Sequence, residues 1–481
     1  MLVLPVRLYL PSPRRAANHD SWIRVFVSIN CSLLVLAATS AWAGDRASRA
    51  SAIAATLPSR NKPPAVRPEI QARAQQFASL GASDWLQSGY RGQGIKVAIL
   101  DSGFRGYRNY LGKALPDKVL VRSFRKDGNL EARDSQHGIL CGEVVHALAP
   151  EAELLFANWE PEQPDFFLQA VCWVREQGAQ VISCSVITPY WSDGEGGGKI
   201  HAALRGILGD GTHAGDLLCF ASAGNTAQRH WTGLFRAAAD GFHEWRHGQT
   251  SNLLTPWGSE RASAELYWHA DADFDLFVYD RDSGQEIGHS GAQPGVSRCS
   301  AVVHVRPQTG HVYAVRLRQV RGPAARFHVV GLEADLEHST SPGSISFPAD
   351  GPEVIAVGAV DGAGHRKDYS ACGPNSPKPK PDFVAPVPFL SSWRSRPFAG
   401  TSAAAPQAAA VAALWWSGHS KCPADKVREA LYASAQDLGP PGHDWETGYG
   451  LIHLPKLEQG KPLASALPPG GSTGVSAAKA R

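Results

Sequence analysis

Strand-length apolar runs alternating with helix-length segments predict an α/β fold built on a doubly wound, mostly parallel sheet. The strand candidates at 95–100, 152–158, 180–186 and 216–221 are almost continuously apolar, as strands buried on both faces are. Between them, 137–148 and 166–178 carry apolar residues at helical spacing. A third observation breaks the pattern. From 226 to 344 helical periodicity fades and short alternating stretches appear, which predicts an inserted all-β, sandwich-like module.

The elements justify themselves in chain order. Residues 22–38 are mostly apolar, follow Arg14-Arg15, include Arg24, and lead to Ala41-Trp42-Ala43 before Gly44. A basic flank, a short apolar stretch and an A-x-A end are the pattern of an export signal, here with cleavage after Ala43. The apolar core is short for a membrane span. A true start further downstream, an uncleaved anchor and a twin-arginine signal are the other readings of 1–43, and membrane association follows only from the anchor. Residues 44–80, rich in Ala, Arg, Pro and Ser, read as a weakly structured linker or short pro-segment. The α/β pattern is expected over 81–225 and again over 345–456, where 354–360 and 383–386 read as strands and a helix begins near Ser402. Inside 226–344 the strand candidates are 264–268, 275–279, 301–305, 312–317 and 326–330, separated by turn formers such as Asp282-Ser283-Gly284. Residues 457–481, rich in Gly, Pro, Ser and Ala, read as a disordered tail.

Composition narrows the function classes. A chain of 481 residues with 43% hydrophobic and 19% charged residues is globular, with ample material for a core. A net charge of +3 gives no reason to expect a nucleic-acid partner. Eight cysteines, one of them Cys31 in the export segment, leave an odd seven, so at most one or two disulfides are expected and none is assigned. Cys141, Cys172, Cys184 and Cys219 lie in apolar runs and read as small buried residues.

In open parallel sheets working residues collect at the carboxyl ends of strands. Asp101 and Asn225 both follow strand candidates. His137 opens one helix and Ser402 another. A serine hydroxyl needs an imidazole to take its proton, and the imidazole needs a carboxylate to fix its tautomer. The developing oxyanion needs donors, which an Asn225 amide and a helix N-terminus at Ser402 supply. Pro406 is expected to be harmless within the first helical turn.

These residues lie in Asp101-Ser102-Gly103, His137-Gly138-Ile139, Ala223-Gly224-Asn225 and Gly400-Thr401-Ser402-Ala403-Ala404-Ala405-Pro406. In motif and order the chain resembles the subtilisin-like serine proteases, the subtilases, over 80–225 and 345–455. Gly92-Gln93-Gly94 and Lys380-Pro381-Asp382-Phe383-Val384-Ala385-Pro386 extend the likeness. The resemblance implies Asp101 as orienting acid, His137 as general base, Ser402 as nucleophile and Asn225 as oxyanion donor. It implies polypeptide substrates pairing with Ser185 and Val186 as an added strand. It implies a serine endopeptidase acting through an acyl-enzyme, with no cofactor required for the chemistry; the export pattern before Gly44 predicts a place outside the cytosol, secreted or in the cell envelope. Departures are Ile139 after His-Gly, Val387 after Ala-Pro, Ile187 in the substrate strand, and a pro-segment shorter than the usual folding propeptide.

Other chemistries fit less well. Gly400-Thr401-Ser402-Ala403-Ala404 lacks the second glycine of the esterase elbow. Ile200 follows Lys199 where a phosphate loop needs Ser or Thr. His137 and Cys141, at i and i+4, have no further ligands at metal spacing. Asp271, Asp273 and Asp275 alternate on one strand face, so a structural calcium is one expectation and solvated acids the other. The alternative function is a catalytically silent protein of the same fold, binding a partner through its β insertion.

Overall fold

The computed structural model describes residues 68–457, apart from 259, 270 and 292–298. The candidate export segment and the terminal tail lie outside the described residues. Seven strands form the central sheet: β1 (Lys96–Leu100), β2 (Val119–Phe124), β3 (Glu153–Trp159), β4 (Val181–Cys184), β5 (Leu218–Ser222) and, after the insertion, β15 (Ile355–Val360) and β16 (Phe383–Pro386). Their spatial order is β16-β15-β5-β4-β1-β3-β2, and every pairing is parallel.

Alternation along these strands builds two cores. Val97, Ile99, Phe156, Val181, Phe220 and Val357 face one side, where α3 (His137–Leu148) and α6 (Thr401–Gly418) cover them. Ala98, Leu100, Leu155, Ile182, Cys219 and Ala356 face the other, under α4 (Pro164–Glu176) and α5 (Lys199–Leu208). Because side chains on a strand alternate, a run apolar at every position has a hydrophobic face on both sides. The helix α6 is buried along nearly its whole length, and its alanines let it pack close to the sheet.

The segment read as weakly structured carries a helix, α1 (Pro68–Ser79), followed by α2 (Ala82–Gln87). Arg73 of α1 pairs with buried Glu143 of α3 at 3.2 Å and bonds the Leu390 carbonyl oxygen. Gln76 donates to the Pro386 carbonyl oxygen at 2.8 Å and to Gln407 at 3.0 Å. This helix is ordered by tertiary bonds that a local reading cannot see. The last helix, α7 (Ala424–Ser434), follows α6. Among the described residues no helix is long and apolar enough to cross a membrane.

Between β5 and β15 run β6 (His230–Leu234), β7 (Asn252–Pro256), β8 (Ala262–Trp268), β9 (Asp273–Asp280), β10 (Glu286–Ser290), β11 (Ser300–Val305), β12 (Tyr313–Arg321), β13 (Arg326–Leu332) and β14 (Ala334–Leu336). They form a five-stranded sheet, β10-β9-β12-β7-β14, and a four-stranded sheet, β11-β8-β13-β6, both antiparallel. Ala264, Leu266, Trp268, Phe274, Leu276 and Phe327 fill the space between them. The seven cysteines among the described residues are all unpaired.

Candidate active site

The four motifs meet at the carboxyl edge of the parallel sheet. Asp101 follows β1 and is fully buried. Its Oδ1 accepts the backbone N–H groups of Ser102 (2.8 Å) and Gly103 (3.0 Å), and its Oδ2 lies 2.7 Å from His137 Nδ1. Those backbone donors fix the carboxylate, so one oxygen remains for the imidazole.

Glycines allow the approach. A side chain on Gly138 would place Cβ 2.9 Å from Asp101 Cβ, closer than carbon atoms pack, so the helix bearing His137 could not reach β1. Instead the Gly138 N–H donates to the Gly103 carbonyl oxygen at 2.7 Å, tying the two motifs backbone to backbone. The departure at Ile139 is absorbed by packing, since this residue is fully buried against α3's side of the core. Val387 is buried there too.

His137 is about one-third exposed, with its ring edge-on to Phe398. Burial alone would lower its pKa, but the Asp101 carboxylate outweighs that and holds the imidazole well above its ordinary value. The Cys141 thiol, pushed up by burial, is neutral near pH 7, which leaves Asp101 as the charge responsible. Cys141 was read as a small buried residue. It is that, and its Sγ also sits 3.8 Å from Asp101 Oδ2, 4.0 Å from His137 Nδ1 and 3.7 Å from the Ser402 carbonyl oxygen. One sulfur thus touches all three segments.

Gly400 precedes α6 with φ 85°, in the left-handed region, and a Cβ there would meet Asn225 Nδ2 at 2.9 Å. Asn225 Oδ1 accepts both the Thr401 N–H (3.0 Å) and the Thr401 hydroxyl (3.1 Å), while Thr401 Oγ1 accepts the Gly224 N–H (3.2 Å). With its oxygen engaged, the amide has its Nδ2 donors left over. Thr401's part was not drawn from the sequence, although the G-T-S triplet carried it.

Ser402 is half-buried in the first turn of α6, where N–H groups lack intrahelical acceptors. Its hydroxyl donates to the Ser185 carbonyl oxygen at 3.5 Å and makes no hydrogen bond to His137. Ser185 Oγ in return donates to the Ser402 carbonyl oxygen at 3.3 Å. Pro406 is the sixth residue of α6, past the first turn, so its harmlessness has a different cause from the expected one. The acceptor it leaves empty is that same Ser402 carbonyl, which Ser185 and Cys141 take up.

Beside these residues runs a cleft of ≈ 460 Å³ bordered by His137, Ser185, Val186 and Ile187 on the α/β side and by residues of β8, β11 and β13 on the other. The β insertion therefore forms one wall. It is anchored by Arg261 to Glu162 (2.7 Å), His269 to Asp193 (2.8 Å) and Arg229 Nε to the Asn225 carbonyl oxygen (3.0 Å).

The three aspartates weighed as calcium ligands are not brought to one point. Asp273 Oδ2 accepts Arg321 Nε at 2.7 Å, Asp275 pairs with Arg318 at 3.4 Å, and Asp271 sits in a turn with φ 89°. Register explains the pairs: β12 sets Arg321 opposite Asp273 and Arg318 opposite Asp275. Asp273 and Asp275 have arginines as counterions.

Comparison with known proteins places this geometry. A model of the subtilase family matches residues 92–256 and 336–450, and the stretch it omits, 257–335, belongs to the β insertion. Subtilisin DY of Bacillus licheniformis is 33% identical over 135 residues, 27% of this chain and 46% of that protein. The halolysin-like extracellular serine protease Nep of Natrialba magadii is 34% identical over 114 residues, 23% of this chain and 20% of that one. The chain thus spans less than half the length of these relatives. The solved structure of the Clostridium perfringens CspB protease matches 79% of this chain and 97% of its own, with a TM-score of 0.57 at 14% identity, a likeness of fold.

Proposed function

Because the chain belongs to the subtilase family, we propose that it is a serine endopeptidase that hydrolyses peptide bonds through an acyl-enzyme on Ser402. The observation that carries this reading is the convergence of four distant motifs, with Asp101 Oδ2 2.7 Å from His137 Nδ1 and Cys141 Sγ touching the segments of all three residues.

With Nδ1–H held by Asp101, the other imidazole nitrogen, Nε2, carries the lone pair. The Ser402 hydroxyl leaves its long bond to Ser185 by rotating about Cα–Cβ and passes its proton to Nε2 as Oγ attacks the scissile carbonyl carbon. The carbonyl oxygen becomes an oxyanion, received by Asn225 Nδ2 and the Ser402 N–H. The imidazolium returns the proton to the leaving amine, the C–N bond breaks, and an ester to Ser402 remains. Water then attacks that ester with His137 again as base, releasing the acid and restoring the hydroxyl. Ser185 and Val186, just beyond the end of β4 and beside the cleft, are the segment against which an extended substrate would pair, although the expected strand over 180–186 stops at Cys184. The A-x-A end at Ala43 and the extracellular description of the Natrialba relative support a site of action outside the cytosol.

An active-site-directed fluorophosphonate tests the reading. Wild-type protein should be labelled and should cleave a denatured protein substrate, and Ser402→Ala should do neither. Labelling that persists in Ser402→Ala would place the nucleophile elsewhere. A wild type that neither labels nor cleaves but binds a partner through residues 226–344 would favour the silent binding protein.

A further inference from the structure

The wall of the cleft contributed by the insertion holds a buried carboxylate with one oxygen left unpartnered. On β8, Ala262, Ala264, Leu266 and Trp268 enter the module's own core, so Ser263, Glu265 and Tyr267 lie on the opposite face. Glu265 is 4% exposed and borders the same cleft as His137 and Ser185. Its Oε1 accepts the Ser263 hydroxyl at 3.2 Å, and its Oε2, also buried, has no partner. Leaving a buried acceptor unmet is destabilising, and more so for an ionised group. An apolar residue would pack on this face without that cost.

Two of the three arginines that border the cleft are otherwise engaged. Arg261 is held by Glu162 at 2.7 Å. Arg229 donates to the Asn225 carbonyl oxygen and lies over the Trp257 ring at 4.5 Å. Arg133 stands at the exposed rim. Glu333 adds a second carboxylate to the same wall. Burial raises the Glu265 carboxyl most and Glu162 adds to the rise, the Ser263 hydroxyl and Arg261 oppose it, and the group comes to rest at about 7. A cation delivered into the cleft supplies both the missing hydrogen-bond donor and the missing charge.

Resting on the endopeptidase reading above, we infer that Glu265 is a specificity-determining residue that receives a lysine or arginine side chain of a polypeptide laid along Ser185 and Val186. The insertion then acts as half of the substrate site rather than as an appendage, and the ligand class is a peptide with a basic residue close to the scissile bond. A lysine or arginine has the reach for this, since its methylene stem runs along the apolar side of the cleft at Val186 and Ile187 while its head meets the carboxylate.

Cleavage profiling of a peptide library with the full-length processed protein tests the inference. The wild type should enrich Lys or Arg at one fixed position relative to the cut. Glu265→Gln, which keeps the shape and removes the charge, should lower kcat/KM for a basic peptide about 10–100-fold, the worth of one charge-assisted hydrogen bond. The same variant should leave a matched neutral peptide within about twofold. A wild-type profile indifferent to basic residues, or one that Glu265→Gln leaves unaltered, would overturn the inference and assign the carboxylate a structural role. Fluorophosphonate labelling of both proteins separates the two levels. Labelling with no basic preference removes only the Glu265 subsite, whereas absent labelling and cleavage remove the peptidase reading and the subsite with it.

Discussion

The bond between Asn225 and Thr401 makes the oxyanion site a coupled pair, and coupling can be measured. In the proposed mechanism Asn225→Ala removes one donor from the developing charge and should lower kcat about 10²–10³-fold with little change in KM. Thr401→Val keeps the shape of the side chain but deletes the hydroxyl that holds Asn225 Oδ1 at 3.1 Å. The Thr401 N–H still holds that oxygen at 3.0 Å, so half of the clamp survives. The amide's aim then loosens by the worth of one neutral hydrogen bond, about 1 kcal/mol, which corresponds to roughly a fivefold fall in kcat. Removing Oγ1 also leaves the Gly224 N–H, a buried donor at 3.2 Å, without its acceptor, so stability should fall by about 1–3 kcal/mol. The kinetic and structural costs separate in a double-mutant cycle. Once Asn225 is alanine there is no amide to aim, so adding Thr401→Val should cost no further kcat while still lowering the melting temperature. Single-turnover kinetics on an activated ester, with thermal melting of all four proteins, provides the measurement. If the two substitutions multiply in kcat, Thr401 does not act through Asn225 and the reasoning fails.

Two further outcomes follow from the charges. The pKa of His137 stands well above 6.5 because Asp101 faces it, and only the neutral ring accepts a proton. So kcat/KM should climb as pH rises past neutrality, and the acid limb should move down in Asp101→Asn; an acid optimum in the wild type would contradict the assigned base. In the β insertion, arginines serve where calcium was one expectation: Arg321→Ala should lower the melting temperature by stranding Asp273, and a chelator should leave the wild type unchanged, so a chelator-induced fall would restore the ion.

What the sequence revealed depends on whether the cause is local. The strand at 383–386 and the helix at 137–148 fall where expected, because burial on both faces and a glycine-marked start are written in consecutive residues. The helix bearing Ser402 begins one residue earlier than expected. β2 was missed: as the sheet's edge strand it is only partly covered, with Leu120 48% exposed, so its apolar pattern is diluted. β6, β7, β10 and β14 were missed for a related reason. They are short and irregular in pattern, and partners far along the chain define them. α1 depends on Glu143 and Gln407, remote in sequence. The four site residues announced themselves through motifs. Glu265 has no motif, and its only local mark is a lone acid in the middle of the apolar run Ala264-Glu265-Leu266. Its place in the same cleft as His137 comes entirely from how the insertion docks.

The spacing of the serine motif has a physical reason that joins these levels. A residue four positions after Ser402 would ordinarily donate its N–H to the Ser402 carbonyl. Proline at 406 has no N–H, so that carbonyl is freed inside a buried helix, where an unmet acceptor is costly. It is met by Ser185 Oγ from the segment just past β4 and by Cys141 Sγ from the helix of the imidazole. Both are side chains of elements that must be held against Ser402 for the chemistry to work. The proline thus exchanges a bond within one helix for bonds between three elements. The polar side chain that follows the proline in α6, Gln407, is already engaged by Gln76 and by the Pro386 and Ala403 carbonyl oxygens, so the Ser402 carbonyl is met from outside the helix, which holds the Ser185 segment and the imidazole's helix against the nucleophile.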